Sequence, residues 1–415
     1  MTRPPPARIL IVTNGQLGRN PRPWKEAEAL AQAGYDVTVL MVRNHAATES
    51  GEAAAMSGAG FRREAIDLLP GYSAGPARLL ARRSLGWAAR KWARWTRRPT
   101  IHGLGPARLL LRRARQLPAD LTIVHNEVPH WVGLQLLAEG RRVAADIEDW
   151  HSEDLPPAAR ARRPLALLRA VEQGLLARAA YTTTTSHALA NALHARYGGR
   201  RPEVITNAFP LQADPHRGPS GHPPACFWFS QTLGPGRGLE AFLAAWALTT
   251  QPSRVVLLGA PVPGYERALA ELLPPSRREA LSFLPLVTPA ELPAVIARHD
   301  IGLALEDATI VNRDLTITNK LLQYLNAGLA VVATPTAGQR EVLARAPDAG
   351  LLLSLADPAA AAALLDGLLA DPALLARRQT AARQAAETVY SWEREAPRLV
   401  ELVGRTLEAA EHPRR

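Results

Sequence analysis

A short apolar run at residues 8–13, Arg-Ile-Leu-Ile-Val-Thr, leads through a glycine-containing loop and a helical stretch to a second apolar run at residues 36–42. Strands joined in this way are parallel and their crossover is right-handed. A parallel sheet needs helices on both faces, so this pattern commits the chain to a layered α/β architecture. The helix opens with Asn20 as cap and Pro21 at its first position, carries Trp24, Ala27, Leu30 and Ala31 at helical spacing, and stops at Gly34. The loop is not G-x-G-x-x-G, so a dinucleotide fingerprint is absent. The alternation resumes with strands expected at residues 121–124, 142–145, 181–185 and 203–205. It starts again at 225–229, 255–258, 281–283, 301–305 and 330–333. No internal sequence repeat accompanies the repeated architecture.

The chain has 415 residues, which is too long for one compact core. Two doubly wound domains are expected, at residues 1–209 and 225–390. Residues 210–224, rich in proline, glycine and histidine, form a linker, and a final helical segment at 391–415 packs back on the first domain. The last helices are read as one at residues 358–387 and one at 392–410. At 47% hydrophobic and 21% charged residues the composition is globular. Cys226 is the one cysteine, so no disulfide forms within the chain, and a reducing, cytoplasmic setting is expected. Residues 1–6 show no signal-peptide pattern, and no apolar run reaches the length of a membrane span.

The net charge of +11 points to an anionic partner: phosphate substrates, a membrane surface or nucleic acid. An arginine-biased composition explains the same number without any partner. Residues 44–117 break the α/β rhythm, and residues 68–117 hold no acidic side chain. Leu85, Ala88, Trp92 and Trp95 share a helical face, with Arg82, Arg83, Arg90, Lys91, Arg94 and Arg97 around it. Trp87, Trp92, Trp95, Arg90 and Arg94 therefore form a candidate for docking on an anionic membrane. The alternative is a helix whose tryptophans pack on its own domain.

Ligands of open parallel sheets bind beyond the C-terminal strand ends. In the second half two loops stand there. Gly234, Gly236 and Gly238 with Arg237 follow a strand and precede a helix, which lets the backbone approach phosphate closely. A polar loop at residues 306–319 leads into a second helix, with Asn319 as expected N-cap, Lys320 beside it and Gly328 as its stop. Two cations and two helix starts can stabilise a leaving diphosphate. In the first half, His125 follows an apolar strand in the loop 125–130, and Glu148, Asp149, His151, Glu153 and Asp154 cluster after the next strand. His125 can bond a sugar hydroxyl, and Glu148 or Asp149 can act as base or hydroxyl acceptor. The spacing matches no zinc pattern, so no metal is expected.

At residues 319–333, Asn-Lys-Leu-Leu-Gln-Tyr-Leu-Asn-Ala-Gly-Leu-Ala-Val-Val-Ala, the chain resembles family 4 glycosyltransferases of the GT-B fold. Gly18-Arg-Asn-Pro-Arg-Pro, Lys25-Glu-Ala-Glu-Ala-Leu, Gly34-Tyr-Asp-Val-Thr-Val, Ile123-Val-His-Asn, Asp146-Ile-Glu-Asp and Gly234-Pro-Gly-Arg-Gly-Leu-Glu agree. The resemblance implies two Rossmann-like domains facing a cleft, with the acceptor on the first and the nucleotide sugar on the second. It also implies metal-independent transfer with retention and no cofactor. His125, Arg237 and Lys320 take the catalytic positions. Gly234, Gly236, Arg237, Thr316, Asn319, Lys320 and Gln323 take the donor side. Gly15, Gly18, Arg19, Glu148 and Asp149 take the acceptor side. Leu315 and Gln323 occupy positions where the family often carries glutamates, and Thr232 stands where many members have an arginine.

The expected function is transfer of a hexose from a nucleoside diphosphate sugar to a glycan or lipid-linked acceptor, in envelope or exopolysaccharide synthesis, at the inner membrane face. The alternatives are a sugar-nucleotide epimerase using the 148–154 acids, and a non-catalytic member binding glycan or, less in keeping with the sequence, nucleic acid.

Overall fold

The computed structural model describes residues 5–46, 49, 58–72, 75–213, 215 and 223–411. The chain divides into two compact units. One comprises Met1–Thr185, Leu189–Ile205 and Ala396–Arg415, the other Ser186–Ala188 and Thr206–Glu395. Most of the linker expected at 210–224 lies outside the described residues, as does part of the segment 44–117.

The first unit is a seven-stranded parallel sheet. Its strands are β1 (Arg8–Val12), β2 (Asp36–Arg43), β3 (Arg62–Asp67), β4 (Leu121–His125), β5 (Val143–Asp146), β6 (Thr182–Thr184) and β7 (Glu203–Val204), in the order β3-β2-β1-β4-β5-β6-β7. Alternate side chains of β1 and β2 serve opposite faces. Leu10, Val12, Leu40 and Val42 meet Leu110, Ala114, Val132 and Leu175 on one side. Ile9, Ile11, Val37 and Val39 meet Ala27, Leu30, Leu402 and Val403 on the other. The segment expected to break the rhythm supplies β3, an edge strand paired in parallel with β2. Only Ile66 in it is buried, so it lacks the apolar run that marks the central strands.

The second unit is a six-stranded parallel sheet. Its strands are β8 (Ala225–Leu233), β9 (Arg254–Pro261), β10 (Leu281–Leu284), β11 (Ile301–Ala304), β12 (Ala330–Ala333) and β13 (Gly350–Leu352), in the order β10-β9-β8-β11-β12-β13. Cys226, Trp228, Val255, Leu257, Leu303 and Val332 face one helical layer; Phe227, Val256, Leu258, Ala304 and Val331 face the other. The single helix expected at 358–387 is two, Pro358–Leu369 and Pro372–Thr388. Asp371 breaks it by capping the second: its carboxylate accepts from the Leu374 N–H at 2.8 Å.

In each sheet the strand order reverses once, between β1 and β4 and between β8 and β11. These are the switch points, where loops leave in opposite directions and open a crevice at the C-terminal edge.

The basic helix runs Pro76–Thr96 and has no buried residue. Leu79, Arg82, Gly86, Ala89, Ala93 and Thr96 are half-buried, a stripe repeating every three to four residues. The tryptophans lie off that stripe: Trp87, Trp92 and Trp95 are 56%, 53% and 82% exposed. Lys91 Nζ sits 4.3 Å over the Trp87 ring, and Trp92 and Trp95 meet edge to face. From Gly86 onward small residues make the helix's inner stripe, and the three tryptophans point outward. Among the described residues no single helix is long and apolar enough to cross a membrane.

Candidate functional site

The residues expected on the donor side gather at the switch point of the second unit. β8 carries an irregularity between Phe229 and Thr232 and ends at Leu233. The glycine loop follows, with Gly236 and Gly238 at φ 74° and 76°, in the left-handed region. A Cβ on Gly238 would come within 3.1 Å of Leu305 Cβ, so the loop lies directly against the end of β11. Gly238 opens the helix Leu239–Trp246 with no side chain capping its amides. Arg237 between the two glycines is half-buried and pairs with no carboxylate among the described residues.

The chain after β11 is bound tightly to itself. The Glu306 N–H donates to Thr334 Oγ1 at 2.8 Å, and that hydroxyl donates to the Glu306 carbonyl at 2.8 Å. A single helical turn, Val311–Leu315, projects Arg313, whose Nη1 donates to the Gly236 carbonyl at 3.0 Å. Thr316 Oγ1 donates to the Asn312 carbonyl at 2.8 Å. The helix Asn319–Ala327 follows, ended by Gly328 at φ 76°. Its cap residue is Thr318, one position before the expected Asn319, which is the first helical residue. Thr318 caps nothing with its side chain; its hydroxyl donates to Glu306 Oε1 at 3.1 Å. Among the described residues the helix start thus keeps its first amides uncapped by the Thr318 side chain, as an anion site requires.

Lys320 lies in that first turn. Its Nζ is 2.9 Å from Glu306 Oε1, with both side chains about one-tenth exposed, and 5.5 Å above the Trp228 ring. Burial pushes the Glu306 carboxyl up, but Lys320, Thr318 and Arg313 outweigh it and hold it below the ordinary value. Gln323, one turn further, is half-buried. Sequence reasoning named Arg237, Thr316, Asn319, Lys320 and Gln323 but missed Glu306 and Arg313. Both stand in a charged loop beyond a strand end, which was the available signal; their partners were not legible.

Gly338 fixes the approach to this helix. A Cβ there would lie 2.2 Å from the Thr316 carbonyl oxygen, which is rigid backbone. Gly338→Ala is therefore expected to displace residues 316–317, weakening nucleotide binding at least tenfold and lowering stability by about 2 kcal/mol. Titration and urea unfolding of the variant check both effects.

The first unit's candidate residues form a second group. The loop after β1 is tied across the switch point: Thr13 Oγ1 donates to Asn126 Oδ1 at 3.0 Å, and Asn126 holds a left-handed backbone at φ 69°. Gly15 has an ordinary φ, and a Cβ there would touch nothing within 4 Å, so neither conformation nor packing demands a glycine. Gly18 is half-buried and Arg19 exposed.

His125 departs from expectation. It is the last residue of β4, not part of a loop, and stands in register with Asp146 of β5. The ring is 1% exposed. Its Nε2 is 2.5 Å from Glu26 Oε2, and its Nδ1 is 3.2 Å from Asp146 Oδ2, outside hydrogen-bond alignment. Arg22 grips Asp146 with two bonds of 2.7 Å, and Thr183 Oγ1 adds a third at 2.6 Å. Arg22 and Glu26 are four residues apart on one helix face, so the helix Pro21–Gln32 delivers both to one place. Burial pulls the His125 pKa down, but the two carboxylates raise it to about 10. Burial pushes Asp146 up, yet Arg22 and His125 hold it far below the usual carboxylate range. His125 is thus a buried imidazolium at the centre of a charge network.

Glu148 and Asp149 lie past this network and are half-buried. Burial, then the neighbouring Asp149 charge, push Glu148 up to about 7. His151 and Glu153 are tied elsewhere: His151 Nδ1 is 3.6 Å from Glu127, and Glu153 pairs with Arg160 and Arg169. Among the described residues no group of three His, Cys, Asp or Glu side chains could hold a metal ion.

Residues 25–213 match Glycosyltransferase Family 4, and residues 224–371 match Glycosyl transferases group 1. No curated protein sequence matches the chain. Several solved structures share its fold. Sucrose-phosphate synthase from Thermosynechococcus elongatus is 16% identical, with a TM-score of 0.71, covering 97% of this chain and 100% of that one. HepE from Anabaena in complex with UDP-glucose is 15% identical, with a TM-score of 0.67, covering 96% and 99%. WaaG, a glycosyltransferase involved in lipopolysaccharide biosynthesis, is 15% identical, with a TM-score of 0.61, covering 95% and 100%. Two parallel doubly wound sheets make this a GT-B fold, and the chain belongs to the family 4 glycosyltransferases.

Proposed function

We propose that this enzyme transfers a hexose from a nucleoside diphosphate sugar to a glycan or lipid-linked acceptor, with retention and without a metal. The carrying observation is the second unit's switch point, where a glycine loop, an uncapped helix start, Arg237 and Lys320 converge. The UDP-glucose held by the HepE structure supports a nucleotide sugar as donor. In this reading the acceptor hydroxyl attacks the anomeric carbon from the face the diphosphate leaves. The departing phosphate oxygen takes its proton. Charge grows on the diphosphate as the bond breaks, so cations fixed beside it lower the barrier more than they tighten ground-state binding. His125 contributes a fixed positive charge from inside its network, and Gly15, Gly18, Arg19, Glu148 and Asp149 serve the acceptor.

The test is a thermal-shift titration with UDP, GDP, ADP and their hexose conjugates, without metal. Ligand at a hundredfold excess over Kd stabilises the fold by about 2.7 kcal/mol. One nucleotide family is expected to raise Tm, Arg237→Ala to abolish the shift, and EDTA to leave sugar transfer unchanged. A folded protein that responds to none of them overturns the reading. An epimerase with Glu148 and Asp149 as its acid pair gives a different product: an isomerised donor with no nucleotide released.

We propose further that the enzyme meets a lipid-linked form of that acceptor at the cytoplasmic face of an anionic membrane, in envelope or exopolysaccharide synthesis. Support comes from the outward tryptophans of Pro76–Thr96 with Arg90 and Arg94 beside them, and from the lipopolysaccharide role of WaaG. The protein is expected to float with phosphatidylglycerol vesicles and not with phosphatidylcholine. Arg90→Ala with Arg94→Ala should weaken partition roughly thirtyfold, at about 1 kcal/mol per arginine near such a surface. Unchanged flotation, or tighter binding to DNA at matched salt, overturns the membrane assignment.

A further inference from the structure

Lys320 is a poorer source of positive charge than its position suggests. Its ammonium is 2.9 Å from the Glu306 carboxylate, and the two buried charges cancel at any distance beyond their own separation. The residue at 232 is a threonine, so the strand before the glycine loop brings no cation either. Lys320 therefore acts only at short range, and Arg237 is the other cation set against a leaving group that gains negative charge as it departs. A donor site built on half-buried Arg237 and a Lys320 whose charge Glu306 offsets has a use for a further cation.

Arg313 sits where the missing charge belongs. The turn Val311–Leu315 carries it to the glycine loop, where Nη1 donates to the Gly236 carbonyl at 3.0 Å. A guanidinium has five N–H donors in a planar fork. One is engaged here among the described residues; no carboxylate there forms a close ion pair with the group, and Glu306 feels its charge from further off. Its neighbour Asp314 is turned away, with Oδ1 accepting from the Ala337 N–H at 2.9 Å. The side chain is half-buried, anchored at one nitrogen, and beside the loop whose backbone approaches phosphate. A planar fork held in this way matches two phosphate oxygens.

We propose that Arg313 is a ligand of the donor's diphosphate, supplying from the 306–319 loop the second cation that position 232 does not supply from the glycine loop. This rests on the reading of the second unit as the nucleotide-sugar site. It also gives the Gly236 bond a function: the loop carbonyl holds the guanidinium in place before the donor arrives.

Calorimetric titration of UDP against UMP, GDP against GMP and ADP against AMP separates this from a bracing role. Arg313→Gln keeps an N–H for Gly236 and removes the charge; Arg313→Ala removes both; Arg313→Lys keeps the charge without the fork. For the nucleoside that the wild type binds, Gln and Ala are expected to reduce the diphosphate-over-monophosphate preference about tenfold, with monophosphate affinity held within twofold. Lys should retain part of the preference. A Gln variant with wild-type preference overturns the proposal, and so does an equal loss of monophosphate and diphosphate binding. If the folded wild type binds no nucleotide, the donor-site reading fails first and takes this inference with it.

Discussion

Lys320→Met will destabilise the protein by about 3 kcal/mol and reverse the sign of its acid titration. Lys320 and Glu306 are each about one-tenth exposed and 2.9 Å apart. A buried pair gives little net stability over apolar residues, but removing one partner leaves an uncompensated charge. In the wild type Glu306 is held below its ordinary value, so its stabilisation is present above the unfolded pKa and lost as pH falls. Without Lys320 the burial that already pushes Glu306 up is less opposed, and the carboxyl moves above its unfolded value. The Glu306 contribution to stability is then greatest at low pH and falls as pH rises past about 4.3, the unfolded value. Urea unfolding at pH 4, 5, 6 and 7 reads the reversal. Lys320→Met with Glu306→Gln should recover most of the stability and none of the lost transfer activity. Wild-type stability and slope in the single variant would show that the pair is not buried as described. Full activity in the double variant would remove Lys320 from the transfer reaction.

That pair also marks what a sequence can and cannot tell. The strand Ala330–Ala333, the helix Asn319–Ala327 and its stop at Gly328 were all readable, because local periodicity and a left-handed glycine encode them within a few residues. The position of Lys320 was readable for the same reason. Its pairing was not: Glu306 is fourteen residues earlier, in a loop whose path depends on Thr334 from a third segment. Arg22 and Glu26 illustrate the point more sharply. Charged residues four apart on a helix read as a solvated face, yet here they are 4% exposed, pressed on the ends of β4 and β5. Nothing within the helix announces this, since the carboxylate that Arg22 meets lies 124 residues away. The edge strand β3 escaped for the opposite reason: a strand with one buried residue carries almost no apolar signal. Periodicity records which face is buried; it does not record which charges are buried together.

The same buried network makes the first unit weaker in alkali. His125 has its folded pKa raised to about 10, against an ordinary value near 6.5. Its stabilisation is therefore complete below about 6.5 and is lost as pH rises toward 10. Asp146, held far below its ordinary value, acts at the other end and keeps its contribution throughout this window. Glu148, raised to about 7, completes its ionisation at the lower edge of this window. His130, lowered to about 3 by burial and then by His151, stays neutral across it. Between pH 7 and pH 10 the wild type should thus lose on the order of 3 kcal/mol through His125. Other groups contribute to the whole-protein slope, so the comparison is with His125→Gln, which should show a markedly flatter slope over the same range. Glu26→Gln keeps the imidazole and removes its 2.5 Å partner, and should give an intermediate slope. The acid limb of the activity profile offers a second readout. The His125 charge lowers the Glu148 pKa, so its removal should move any Glu148-dependent limb to higher pH. Parallel unfolding slopes in all three proteins would mean that His125 is neutral in the fold, and that Arg22 alone balances Asp146.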